Sequence, residues 1–240
     1  PKLLDWLAHD FRNNNWSVKK LIRKVVLSKT YRQSSRLNPS CNKEKVSLSD
    51  PQNILLHKMP VRRLQAEAIR DSILSFSGRI DRKLYGPSVP IFKTAFMTGR
   101  GGKKNGPLDG AGRRSIYGSV YRNFLSPFML AFDQPAPFGT KGKRSVSNVP
   151  AQSLALMNDP FVIGQCRLMG KNIFQSKKPE SESVGSLFEM IMGKSPNGKA
   201  QEKLLAFLET QTKAHGSLNE EVWADLAHVL INSKGFLFLN

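Results

Sequence analysis

Acidic residues are scarce in this chain, where 18 Asp and Glu face 37 Lys and Arg for a formal charge of +19 over 240 residues. Cysteine is scarcer still. Cys41 and Cys166 lie far apart and outside any Cys-x-x-Cys or haem-attaching Cys-x-x-Cys-His run, so they form either a long-loop disulfide or two free thiols, and a chain of this size does not need the staple. The four histidines, His9, His57, His215 and His228, are too scattered for a His-Glu-x-x-His zinc helix. No apolar run approaches the roughly 20 residues of a membrane-spanning helix, so the chain reads as soluble. Serine-hydrolase elbows are missing too. Gly99, Gly101 and Gly102 lack both the dinucleotide-binding spacing and the Gly-Lys-Ser/Thr ending of a phosphate loop.

Strand-like alternation is also nearly absent, and helical periodicity dominates. Leu3, Leu4, Leu7 and Phe11 share a stripe, as do Val18, Leu21, Ile22, Val25 and Val26 after Ser17, a good N-cap, so the first 30 residues read as a helix pair. Lys19, Lys20, Arg23 and Lys24 leave the second helix a basic outer face. Residues 34–50 are polar and loop-like, and Asp50-Pro51 predicts the start of a short helix through Leu55 and Leu56. From Val61 to Phe76, Ala66, Ile69, Ile73 and Phe76 form the most regular stripe, with Gly78 placed to end it. Residues 85–112 read as a long basic loop, disordered or ligand-responsive around Gly99 to Lys104. Arg113 to Phe124 fits helix or strand equally. A second loop spans 133–150, and beyond it Ala151–Met157, Pro160–Phe174, Val184–Met192, Ala200–Thr212 and Glu220–Ile231 carry helical stripes.

The expectation is a mainly α fold: an irregular multi-helix bundle with two long basic loops and little or no sheet, forming one continuous domain. Charge divides it in two. Residues 1–147 hold 28 Lys and Arg against 9 Asp and Glu, while 148–240 hold 9 against 9. Clustered cations raise the local concentration of phosphate, sulfate or carboxylate partners. The chain opens at Pro1 inside an amphipathic element and reads as a fragment of a longer protein.

Two constellations carry chemistry. On the 61–76 helix Arg63, Glu67, Arg70 and Asp71 fall three or four apart: either a surface ion network or carboxylates flanked by guanidinium groups. Further on, Arg113, Arg114, Tyr117 and Arg122 precede Asp133. Arginine forks bind anions bidentately and a tyrosine can stack on a sugar or base, although Arg–Asp pairing that locks Asp133 onto the Arg114 segment explains the pattern equally well. Anion-binding candidates are therefore Arg62, Arg63, Arg70, Arg113, Arg114, Tyr117, Arg122 and Arg144. The carboxylates that could act as acid or base are Glu67, Asp71 and Asp133. Asn158-Asp159-Pro160 and Asn232-Ser233 read as helix caps.

Several stretches, in order, resemble the planctomycete-specific PSD domain, a domain of unknown function. They are Leu3-Leu4-Asp5-Trp6-Leu7-Ala8 with Trp16-Ser17-Val18-Lys19-Lys20-Leu21, Ser28-Lys29-Thr30-Tyr31-Arg32-Gln33, Asp50-Pro51-Gln52-Asn53, and Arg62-Arg63-Leu64-Gln65-Ala66-Glu67. Arg113-Arg114-Ser115-Ile116-Tyr117, Phe132-Asp133-Gln134-Pro135, Pro150-Ala151-Gln152-Ser153-Leu154 and Trp223-Ala224-Asp225-Leu226 complete them. Gln65 departs from the family's usual Asp. The resemblance implies an exported, periplasmic or cell-envelope protein, with cytochrome c-type domains and their haem c upstream in the intact chain and no cofactor or metal held here. It implies no established reaction.

Three function classes fit. One is an accessory module docking an anionic polysaccharide or an acidic redox protein. Another is a hydrolase or lyase acting on an anionic glycan. Non-specific nucleic-acid binding ranks last, because Tyr31, Tyr85, Tyr117 and Tyr121 are scattered rather than set on a strand platform.

Overall fold

The structure is a computed structural model that describes residues 1–94, 97 and 105–239. It is 54% helical with 4% strand, a mainly α fold. The described chain separates into two compact units, Pro1–Arg62 with Leu239, and Arg63–Phe238. The stretch Gly99 to Lys104 lies outside the described residues.

In the first unit α1 (Lys2–Asn13) and α2 (Val18–Leu27) form the expected helix pair. Asn15 and Trp16, both with positive φ, turn the chain between them, and the Trp16 ring meets Phe11 edge-on at 5.4 Å. Ser17 caps α2 by accepting the Lys20 N–H. A short helix, α3 (Lys43–Ser49), occupies part of the stretch expected to be a loop, with Asn42 as its N-cap. The helix expected from Asp50 is replaced by turns. Asp50 closes α3, and its carboxylate accepts the Ile54 and Leu55 N–H groups at 2.7 and 2.9 Å, while Asn53 and Leu56 adopt positive φ that no helix continues through. A carboxylate that caps a tight turn uses the same local donors as one that caps a helix, so the signal was real and the element was not. No residue of α1, α2 or α3 is buried.

The short strand β1 (Arg62–Arg63) pairs with β2 (Phe238–Leu239), and within the second unit the Leu64 N–H donates to Leu237 O at 2.8 Å. This strand delays the 61–76 helix, so α4 runs Ala66–Phe76, with Ala66, Ile69, Ile73 and Leu74 fully buried. Arg113 to Phe124 settles as neither helix nor strand. It holds a 3-10 turn at Ser115–Tyr117 and isolated bridges, Val89 to Gly118 among them, because side-chain anchors rather than a ladder fix it. Next come α5 (Pro127–Ala131), α6 (Pro150–Asn158), α7 (Pro160–Ser176), α8 (Glu180–Met192), α9 (Gly198–His215), α10 (Glu220–Ile231) and α11 (Lys234–Leu237).

The core gathers on α7 and α10, where Val162, Cys166 and Met169 join Val222, Leu226 and Ile231 in one cluster with α4. Gly170 makes the approach close: a Cβ there would lie 2.4 Å from Glu220 O and 2.5 Å from Ala224 N. Asn219 caps α10 by accepting the Glu221 and Val222 N–H groups, as its sequence position predicts. Both cysteines are free, Cys41 exposed and Cys166 buried, and burial pushes the Cys166 thiol up to about 12. Ser77, at the end of α4, donates its hydroxyl to Gln165 of α7 at 2.6 Å.

Candidate functional site

Helix α4 places its polar edge against the 109–117 segment. Arg70 is largely buried and reaches three acceptors there: Nη1 donates to Arg113 O at 3.0 Å and Ser115 Oγ at 3.1 Å, and Nη2 to Asp109 O at 2.8 Å. Its guanidinium also lies 5.6 Å from the Phe161 ring centre. Burial lowers the Arg70 pKa against the opposing charges of Asp71 and Asp109. Next to it, Asp71 Oδ1 accepts both the N–H and the hydroxyl of Ser115 at 2.7 Å. The pair thus pins a loop that has no ladder to hold it. Close passage past Arg70 is why Gly110 stands where it does, since a Cβ there would lie 2.5 Å from Arg70 Nη2 and φ is +61°.

Arg113 is fixed from the other side. Nη1 donates to Lys83 O at 2.6 Å and faces Asp81 at 3.4 Å, Nη2 donates to Tyr85 O at 2.7 Å, and the group stacks on Tyr117 at 4.0 Å. Tyr117 in turn accepts the Tyr85 N–H at 2.8 Å. The tyrosine face that could have stacked on a sugar therefore carries a guanidinium.

A second network joins Asp133 to Arg63, in place of the pairing with the Arg114 segment that the sequence suggested, because Arg113 is taken up by Asp81 and backbone carbonyls. Arg63 is 4% exposed in its side chain, pairs through Nη2 with Asp133 and lies 5.4 Å from the Phe132 ring centre; its Nε and Nη1 are buried and have no acceptor among the described residues. Asp133 accepts the Ser147 N–H at 2.8 Å and its hydroxyl at 2.9 Å, and Gln152 donates to the same hydroxyl at 3.1 Å. Burial would raise the Asp133 pKa, but the Ser147 donors and the Arg63 charge overcome it and hold the group below the usual carboxylate range. A third pair joins Arg144 to Glu67 at 2.7 Å, and that hydrogen bond holds Glu67 below its ordinary value.

The structure thus brings Arg70, Asp71, Arg113 and Tyr117 into one network, Arg63 and Asp133 into another, and Glu67 and Arg144 into a third. Arg62, Arg114 and Arg122 are exposed, and their side chains carry no partner among the described residues. All three candidate carboxylates already accept from arginine or serine. Ser115, Asp109, Ser147 and Gln152 were not singled out from sequence; Ser115 and Gln152 do lie inside the motifs quoted above.

Beside the first network lies a cleft of about 160 Å³, walled by Ile91, Phe124, Phe128 and Phe161 and reached by Arg70 and Asp159. Asp159 caps α7 by accepting the Phe161 N–H at 2.8 Å, and burial nonetheless raises its pKa. Among the described residues no cluster of three or more His, Cys, Asp or Glu could hold a metal ion, and no helix is long and apolar enough to cross a membrane.

Electrostatically the first unit is the more one-sided. Residues 1–62 contain thirteen Lys and Arg against four Asp and Glu. Among the described residues, only Lys24 of those thirteen has a carboxylate partner, Asp10.

Fold and site together define a mainly helical, basic domain in which one set of arginines is pinned among carboxylates and another is exposed. The chain belongs to the family described as PSD1, Protein of unknown function (DUF1553), whose match covers residues 1–208. No curated protein and no solved structure matches it.

Proposed function

We propose that this domain is an accessory docking module for an anionic partner, an acidic or sulfated polysaccharide or the acidic face of a redox protein, beside cytochrome c-type domains of the same chain in the periplasm or cell envelope. One observation carries the reading: twelve of the thirteen cations in residues 1–62 lack a carboxylate partner among the described residues. Cations that stabilised the fold would sit in pairs, as Arg63, Arg70, Arg79, Arg113 and Arg144 do. Unpaired like charges repel, and they are compensated when a polyanion binds. Arg114 and Arg122 add exposed cations to the second unit. The pinned arginines serve this function indirectly, by holding the loop that displays Arg114. The compartment and the haem neighbours rest on the family resemblance.

The test is a titration of the chain against a sulfated polysaccharide, a neutral glycan and duplex DNA, at low and at roughly physiological salt. Selective binding to the sulfated polysaccharide that survives the salt supports the reading. Equal binding to both polyanions, erased by salt, reduces the charge to general attraction, since exposed charges are screened within about 10 Å at 0.1 M.

A further inference from the structure

The helix pair of the first unit carries a second feature that charge does not explain. On α2, at 100° per residue, Val18, Leu21, Ile22, Val25 and Val26 occupy an arc of about 140°, and Lys19, Lys20, Arg23 and Lys24 lie on the opposite side, with Leu27 of the last turn among them. In a folded domain such an arc faces a core. Here Val18, Ile22, Val25 and Val26 are all exposed, as are Leu3 and Leu4 of α1, both at about 70%. Trp6 and Trp16 are exposed at 52% and 65%. Half-buried Leu7, Phe11 and Leu21 are the limit of what the helix pair covers.

We infer that α1 and α2 seat on an anionic lipid surface, with the apolar arc of α2 in the headgroup–acyl boundary and its lysines among the headgroups. Three observations select this occupant. The basic arc begins where the apolar arc ends, Lys19 beside Val26 and Lys24 beyond Leu21, so Lys19 can extend its stem along an interface and keep its ammonium in the headgroup layer, while Lys24 pairs with Asp10 at the other edge. A purely apolar groove would cover the apolar arc and leave the cations unpaired, whereas an anionic bilayer surface answers both together. Trp6 and Trp16 supply the amphipathic rings that settle at headgroup depth. Ten residues of α2 span about 15 Å, which fits a helix lying in the interface plane. This inference rests on the anionic-partner reading for its charges and adds the apolar arc.

The experiment uses the full chain with vesicles of phosphatidylglycerol and phosphatidylcholine, or of phosphatidylcholine alone, read by co-sedimentation and by tryptophan emission. Trp223 is 3% exposed in the core, so a blue shift reports Trp6 and Trp16. Anionic vesicles are expected to bind the chain and shift the emission; neutral vesicles are not. Ile22→Ser with Val25→Ser, both positions exposed, should weaken vesicle binding tenfold or more, and Lys19→Glu, at the edge of the arc, about fivefold or more. Leu154→Ser, exposed on α6, should change nothing. Dextran sulfate serves as a polyanion without an apolar phase, and Ile22→Ser with Val25→Ser should leave its binding intact. Loss of vesicle binding with dextran sulfate binding retained in the unaltered chain overturns this inference alone; loss of both overturns the docking reading as well. Vesicle binding indifferent to Ile22→Ser with Val25→Ser also overturns the inference, as does concentration-dependent self-association abolished by those substitutions, which would assign the face to a second copy.

Discussion

Removing the charge of Asp133 is expected to destabilise the second unit through the arginine it leaves behind. Arg63 is 4% exposed in its side chain, Asp133 16%, and the Arg63 Nε and Nη1 atoms already lack acceptors. Deleting one member of a fully buried pair costs about 3–5 kcal/mol, because the remaining charge stays desolvated. Asp133 is partly open to water, and Asn would keep a carbonyl for the Ser147 N–H, so Asp133→Asn should cost about 2–4 kcal/mol. Asn also tolerates the backbone, since φ at Asp133 is +63° and Asn adopts that region more easily than most residues. The penalty is therefore electrostatic and not strain. At a chain of this size, it corresponds to a fall of roughly 4–16 °C in melting temperature. Urea unfolding followed by Trp223 fluorescence in a Trp6→Phe, Trp16→Phe background isolates the second unit. Arg63→Met added to Asp133→Asn should recover most of the loss, because the stranded charge is gone. A single variant within about 0.5 kcal/mol of the parent, or a double variant whose losses simply add, would refute the argument.

Helix packing and carboxylate burial elsewhere in the second unit can be tested in the same way. Gly170→Ala should cost about 1–3 kcal/mol by forcing α7 from α10, where a Cβ would meet Glu220 O at 2.4 Å. Gly185→Ala on α8 is the matched control: its nearest neighbour is 3.9 Å away, and helix propensity should make it neutral to stabilising by up to about 1 kcal/mol; equal denaturation midpoints for the two would contradict the close-packing account. Asp159 has a raised folded pKa through burial, so its charge costs stability once pH exceeds the unfolded value of about 3.9, and the cost vanishes below it. Asp159→Asn keeps the cap and should stabilise the protein at pH 7 but not near pH 3.5, as read by denaturant midpoints. Glu67 and Asp133 act in the opposite sense, their depressed folded pKa values giving stability above about pH 4 that is lost as pH falls through them. A stability gain for Asp159→Asn that is independent of pH would remove the electrostatic cause.

How far the chain could be read in advance varied with the range of the forces involved. The helices from α6 to α10 were legible because apolar spacing and caps such as Asn219 act within one or two turns of the chain. The start of α4 was misread by five residues because β1 pairs with a strand some 170 positions away, and nothing in Val61 to Gln65 announces that partner. Asp50 was misread for a subtler reason. Its carboxylate does bind backbone N–H groups downstream, but the positive φ of Asn53 closes a turn instead of opening a helix.

The same division holds for the candidate site. Sequence alone determined the charge excess, the helical class, the amphipathic arcs of α1 and α2 and which arginines and carboxylates stand near one another along the chain. It could not sort those arginines. Arg113 and Arg114 are neighbours of one type, yet the Arg113 side chain is bound by Lys83, Tyr85, Asp81 and Tyr117 while the Arg114 side chain is exposed without a partner among the described residues. That outcome depends on segments some 30 residues apart meeting at hydrogen-bonding distance, and on burial that makes an unpaired guanidinium costly at one position and inexpensive at the next. Only the tertiary structure supplies those two quantities.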